Sequence, residues 1–335
     1  MKKYTSEIVL LMSFAWILAA VTLISFSIGR YSIPVNDILK YLFTGVCRDE
    51  NLPILIFQVR MPRIIGAILA GGALAVSGAA CQGLFRNPMV SPDILGVCHG
   101  AGFGASLAMV LSMGIAGIQL SAFVAGVGAT VLALSISRIL SRNHDKILML
   151  VLSGMVVGTL FSALISLMKY IADSESKLPD ITFWLMGNLS GITQKELSIV
   201  IPIVLLALIP LLLNSWKLNV LSFGEEEAAA LGVNTGQTRI IIIVCASLIT
   251  ASVVCITGIV GWVGLIIPHV TRFIIGPNHR ILLPASFLLG GIFLLLVDDL
   301  ARSVASLEIP LGIITSLVGA PMFFILLKVS SKKVW

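Results

Sequence analysis

Ten apolar stretches fill this chain, and almost none carries a charge near its centre. They cover residues 8–28, 64–84, 93–113, 115–137, 147–168, 197–213, 239–256, 263–275, 282–297 and 310–327. Most approach the roughly 20 residues that cross about 30 Å of hydrocarbon at ~1.5 Å per residue. Mean hydropathy is +1.06 and only 11% of residues are charged, too few for a water-soluble fold of 335 residues. Lipid is therefore the solvent. Open backbone groups are costly there, so the chain must be a helix bundle or a closed barrel. Barrel strands alternate apolar and polar residues, and segments such as IIIIVCASLITASVVCI do not. The expected fold is all-α: one membrane domain over residues 1–335 with about ten transmembrane helices.

Four of the five cysteines, Cys81, Cys98, Cys245 and Cys255, lie in apolar stretches as small packing residues, and Cys47 sits in a polar loop. No spacing suggests a disulfide framework or a metal site. The first stretch follows Lys2 and Lys3 but is longer than a leader's apolar core, so a retained helix is expected. The net charge of +6 is scattered over loops and does not suggest nucleic acid. An even number of spans puts both termini on one side. Lys2, Lys3, Lys328, Lys332 and Lys333 place that side in the cytoplasm, with Arg142, Lys146, Lys217, Arg272 and Arg280.

The run from 239 to 275 is too long for one span and short for two. Gly258, Gly261 and Gly264 interrupt it, which predicts a break followed by a short helix near 263–275. Broken helices in membranes survive only where protein or water covers them, as beside a transport pathway. Small residues also recur every fourth position, on one helix face. Ala67, Gly71, Ala75 and Ala79 form one such stripe; Gly96, Gly100, Gly104, Ala108 and Ser112 form a second. Gly154, Gly158, Ser162 and Ser166 form a third. Close helix packing explains such stripes. The third ends in hydroxyls and is also the candidate pathway.

The chain lacks the G-x-x-x-x-G-K-[ST] phosphate loop, and the dipeptide Gly-Lys never occurs. Asp93, Asp298 and Asp299 fall at the ends of apolar stretches rather than at depth, which argues against an ion-coupled secondary carrier, the rival from another class. No filter of a channel stands out. The energy source is expected to be a separate partner, and no catalytic residue or cofactor is expected in this chain. The connection 214–238 carries FGEEEAAALGVN, read as a short helix with Glu225, Glu226 and Glu227 in its first turn and Gly232 as its stop.

Arg60-Met61-Pro62-Arg63 opens GAILAGGALAVSGAACQGLFRNPMVSPDILGV, followed later by FGEEEAAALGVN, GIVGWVGLIIPHVTRF, LPASFLLGG, VDDLAR and PLGIITSLVGAP. The order and spacing of these segments resemble the FecCD-type permeases, over essentially the whole chain. That family supplies the membrane subunits of binding-protein-dependent ABC importers for iron–siderophores, haem and vitamin B12. The resemblance implies ten helices in each subunit of a homodimer or paired heterodimer. It also implies two cytoplasmic ATPases and a periplasmic or lipid-anchored binding protein, at the inner membrane. Glu225, Glu226, Glu227, Ala228, Gly232 and Asn234 resemble the family's coupling helix. Arg60, Arg63 and Arg302 match arginines that dock the binding protein. A ferric siderophore is the leading substrate, with haem, cobalamin or molybdate as alternatives.

Other polar residues have structural readings. Asp298 and Asp299 lie about one turn before Arg302 and are expected to orient arginines. His99 and His269 have no second ligand at helical spacing and are read as packing or hydrogen-bonding groups. Ser91 is an expected N-cap, with Pro92 the first helical residue.

Overall fold

The computed structural model describes residues 2–29, 31, 33–45, 51–141, 145–305 and 307–330. Cys47, Arg142, Lys332 and Lys333 lie outside these residues. No strand occurs among the described residues. Helix α1 (Lys2–Ser27) is followed by the short α2 (Val35–Thr44). One turn of α3 (Leu52–Ile54), a π-helical turn over Leu55–Arg60 and α4 (Met61–Phe85) form one continuous rod. A 3-10 turn, Pro92–Leu95, leads into α5 (Val97–Val110). Then come α6 (Ile115–Leu140), α7 (Lys146–Ile171), α8 (Lys177–Met186) and α9 (Gln194–Leu213). The short α10 (Ser215–Leu221) and α11 (Glu225–Ala230) precede α12 (Thr235–Thr257). Finally come α13 (Val263–Ile275), α14 (His279–Ser303) and α15 (Leu311–Ser330).

Among the described residues, seven helical segments are long and apolar enough to cross a membrane, and three shorter apolar helices, α5, α13 and α15, accompany them. The expected stretch 93–113 is not one helix. Gly96 takes a left-handed φ of +76°, which splits the 3-10 turn from α5. Ser91 sits at the head of that turn, but its side chain makes no capping bond. The expected break lies at Gly258 (φ +66°), and α13 starts at Val263 as expected. Helices α2, α8 and α10 fall outside the ten apolar stretches, because each is at most ten residues long and carries polar residues. Helix α9 starts earlier than its apolar stretch, since Thr193 and Glu196 close a capping box.

Lipid gives apolar side chains little reason to associate, so backbone-close packing must hold these helices together. Helix α4 is the central element, and glycine is what lets its neighbours in. A Cβ on Gly71 would lie 2.2 Å from the Gly290 carbonyl oxygen of α14, and a Cβ on Gly290 would lie 2.3 Å from that of Gly71. A Cβ on Gly78 would lie 1.8 Å from the Gly264 oxygen of α13. Ser77 Oγ adds a bond to the Ala246 carbonyl of α12 at 3.1 Å. The second stripe works the same way between α5 and α6, where a Cβ on Gly104 would lie 2.2 Å from the Ser121 oxygen. Overpacking of this kind destabilises by about 1–3 kcal/mol or more. Gly78→Leu should therefore lower the melting temperature of the detergent-solubilised protein, whereas Gly128→Leu, at a position with nothing within 4 Å, should not. Thermal unfolding of both variants checks this, and equal melting would contradict the packing assignment.

Candidate functional site

One end of the bundle gathers the ends of α1 and α14 with the start of α4. Arg60, Arg63 and Arg302 meet there, at 5%, 8% and 5% exposure. Arg63 Nε donates to both oxygens of Asp298 at 3.0 Å, and its Nη1 donates to Glu308 Oε1 at 3.0 Å. Asp298 itself is fully buried. Arg302 pairs with Asp299 and donates to the Ser25 carbonyl at 2.7 Å. Ser25 Oγ donates to the other Asp299 oxygen at 2.5 Å. Arg60 donates to the carbonyls of Phe26 and Tyr31. The resemblance implies that these three arginines dock the binding protein; in the structure all three are buried and bound within the chain. Asp298 and Asp299 do orient Arg63 and Arg302.

Breaking a buried pair by removing one partner costs about 3–5 kcal/mol, because the other charge stays buried. Arg63→Ala should therefore destabilise the protein strongly, and Arg63→Met combined with Asp298→Leu should recover most of the loss. Melting curves of the two variants would separate these outcomes, and equal loss in both would contradict the pairing.

The opposite end carries the 214–238 connection. Leu218, Val220 and Leu221 bury α10, and Ala228 and Val233 anchor α11 and the turn after it. Glu225 pairs with Arg239 of α12. Asn234 Oδ1 accepts the Gln237 amide at 3.0 Å and caps α12. Gly232 has a φ of +80°, the left-handed turn that ends the segment. Of the six expected coupling residues, Glu226, Glu227 and Gly232 are thus exposed and uncommitted to a helix contact, while Ala228 is buried, Glu225 is paired and Asn234 caps a helix. The sequence reading passed over Phe223 and Leu231, which flank α11 at 72% and 61% exposure. Their signal was present: two large apolar residues immediately outside a short polar helix.

Between the two ends lies the broken helix. Residues 258–262 separate α12 from α13, and Trp262 takes a φ of +71°, unusual for a bulky residue. Its ring meets Phe323 of α15 edge-on at 6.3 Å. A cavity of about 270 Å³ opens beside this segment, lined by Asp93, Cys98, Thr250 and Trp262 among others. Asp93 Oδ1 accepts the Cys98 amide at 2.9 Å, and Oδ2 lies 3.4 Å from His99 Nδ1. His99 thus takes the polar of its two expected roles, beside the Asp93 carboxylate. Helix α8 dips towards the break: the Asn188 amide donates to the Thr257 carbonyl at 2.8 Å, and the Leu311 amide to the Gly187 carbonyl at 2.9 Å.

The third small-residue stripe divides. Gly154 is buried, and a Cβ there would lie 2.1 Å from the Ile94 oxygen. Gly158 is buried beside His99 and Gly96. Ser162 and Ser166 are exposed on α7, with Ser166 Oγ bonded to the Ser162 carbonyl at 3.1 Å. Among the described residues, no three His, Cys, Asp or Glu side chains cluster as a metal site.

Residues 17–329 match the FecCD transport family. The chain belongs to that family. It is 44% identical over 314 residues to the molybdate import system permease protein MolB of Haemophilus influenzae, covering 92% of each chain. It is 41% identical over 281 residues to the cobalamin import system permease protein BtuC of Halobacterium salinarum, covering 83% of this chain and 74% of that one. A solved inward-facing structure, of an ABC transporter assigned to the metal-chelate type, matches with a TM-score of 0.86 and 42% identity, over 95% of this chain and 98% of that one. This FecCD-family chain is a multi-pass permease subunit of an ABC importer, a transport component whose ATPase is a separate partner.

Proposed function

We propose that this FecCD-family permease moves a metal-containing solute, a chelate or an oxyanion, inward across the cytoplasmic membrane. The α10–α11 unit carries the reading, because it presents Phe223, Glu226, Glu227 and Leu231 on a chain with no phosphate loop of its own. A cytoplasmic ATPase dimer docks on that surface, and Gly232 with the buried Ala228 fixes its shape. This end faces the cytoplasm, together with both termini. Lys217, Arg239, Arg272 and Arg280 support that orientation, whereas the arginines of the opposite end stand beside Asp298, Asp299 and Glu308. A periplasmic or lipid-anchored binding protein delivers the solute to the opposite end. There Arg60, Arg63 and Arg302 shape the docking surface by holding α1, α4 and α14 in register. A second permease subunit, identical or paralogous, completes the pathway. The α7 stripe faces it, with Gly154 and Gly158 setting the helix position and Ser162 and Ser166 lining the passage.

Similarity to permeases named for molybdate and cobalamin supports a metal-containing cargo and leaves a ferric siderophore as one of several candidates. ATP-driven uptake into proteoliposomes holding the full complex, compared for ferric siderophore, haem, cobalamin and molybdate, tests this. Uptake should persist when the proton gradient is collapsed and ATP maintained; collapse of uptake would restore the secondary carrier.

An exposed apolar anchor in an interface is worth about 1–2 kcal/mol or more, so losing two should weaken binding by about 30-fold or more. Phe223→Asp with Leu231→Asp should leave the membrane level unchanged and reduce ATPase co-purification by that factor. Unaltered co-purification with normal uptake would defeat the docking assignment. Ser162→Cys should react with a water-soluble thiol reagent in at least one nucleotide state; no labelling in any state would return the whole stripe to packing.

A further inference from the structure

The α10–α11 unit connects to the rest of the bundle by a short polar path. Asn219 of α10 donates from Nδ2 to Asn278 Oδ1 at 2.8 Å. Its Oδ1 accepts the His279 backbone amide at 2.8 Å and lies 2.9 Å from His279 Nδ1. A backbone N–H can only donate, so the amide oxygen must face His279, and Nδ1 must then donate as well. A neutral ring with its proton on Nδ1 leaves Nε2 bare. That atom is buried without a hydrogen-bond partner and abuts α4, where a Cβ on Gly83 would lie 2.4 Å away. His279 thus sits between α10 and α4, against a position on α4 that has room for no side chain.

The preceding residue of α4 holds the broken helix. Gln82 is buried; its Nε2 donates to the Leu265 carbonyl at 3.0 Å, and its Oε1 accepts from Arg272 Nη1 at 3.2 Å. Leu265 and Arg272 stand two turns apart on α13, so one side chain grips that short helix at two levels. The far end of α13 abuts the 258–262 segment and its cavity.

We propose that Asn219, His279 and Gln82 are positioning residues that carry movement of the α10–α11 unit to α13. Asn219 moves the head of α14, His279 passes the displacement to α4 at Gly83, and Gln82 passes it to the broken helix. The steps at Asn219 and Gln82 are directional hydrogen bonds, and the step at Gly83 is close packing that leaves no room for a Cβ. This rests on the reading of α10–α11 as the ATPase contact. None of the three residues lies on the exposed Phe223–Leu231 flanks, so binding and transmission are separable.

The test uses the complete complex in proteoliposomes, with ATP hydrolysis measured together with uptake of whichever of molybdate, cobalamin, haem and ferric siderophore the parent complex imports. Asn219→Leu, Gly83→Ala and Gln82→Met should keep the ATPase bound and hydrolysing, while solute moved per ATP falls by about 2- to 30-fold. Asn219→Asp keeps both acceptor contacts to His279 but loses the donor to Asn278, so its ratio should fall between those of the parent and Asn219→Leu. A merely structural role would lower folded yield and hydrolysis together, and that result would overturn the proposal. So would an unchanged transport-to-hydrolysis ratio in all three variants. If the Phe223 and Leu231 substitutions leave ATPase binding intact, the docking reading fails and this proposal with it. If they abolish binding while the three variants remain fully coupled, the relay alone is wrong.

Discussion

Backbone-to-backbone contact through glycine is the interaction on which the rest of this bundle depends. In water, helices are driven together by apolar burial; in lipid that drive is nearly absent, and close van der Waals approach replaces it. Helix α4 meets α14 at Gly71 and Gly290, and α13 at Gly78 and Gly264, at separations that exclude any side chain. Because α4 is so tightly enclosed, polar residues could be placed along it at both ends without meeting lipid. Arg60 and Arg63 open it, and Gln82 closes it. Each then reaches a different neighbour, which makes α4 the common support of both functional ends.

Those ends handle charge in opposite ways. At the arginine end, opposite charges are brought together and sealed off, which fixes geometry at a price in desolvation. At the α11 end, the acids of the first turn remain open, apart from Glu225 on Arg239. A closed network resists change, whereas an open surface is available to a partner. The broken α12–α13 segment lies between the two and combines a cavity, a left-handed Trp262 and the tip of α8.

Much of this was legible in the residues because lipid imposes simple rules. Apolar length revealed the spans, and glycine at 258 revealed the break together with the start of α13. What stayed hidden depends on distant partners. Nothing near Arg63 in sequence announces Asp298, 235 residues away, so the internal partner of a docking candidate could not be read there. Helix α8 was hidden for a different reason: it carries Lys177 and Asp180 and is too short to cross, so apolar length could not find it. Within α11 the sequence located the helix but not its orientation. Only the packing of Ala228 separates the inner face from the outer one, and Phe223 and Leu231 gain meaning once that face is known.

The attachment of α1 has a consequence for shortened forms of this protein. In lipid-facing terms α1 is nearly detachable, since only 11% of its best apolar window is buried. Its C-terminal carbonyls are not detachable in the same sense. Ser25 and Phe26 receive Arg302 and Arg60, and the Ser25 hydroxyl satisfies Asp299. Translation from a later start, or a proteolytic cut that frees this helix, would take the Phe26 carbonyl from Arg60 and leave the Arg302–Asp299 pair without the Ser25 groups that complete it. The N-terminal helix is therefore retained by the electrostatic needs of residues that lie on other helices.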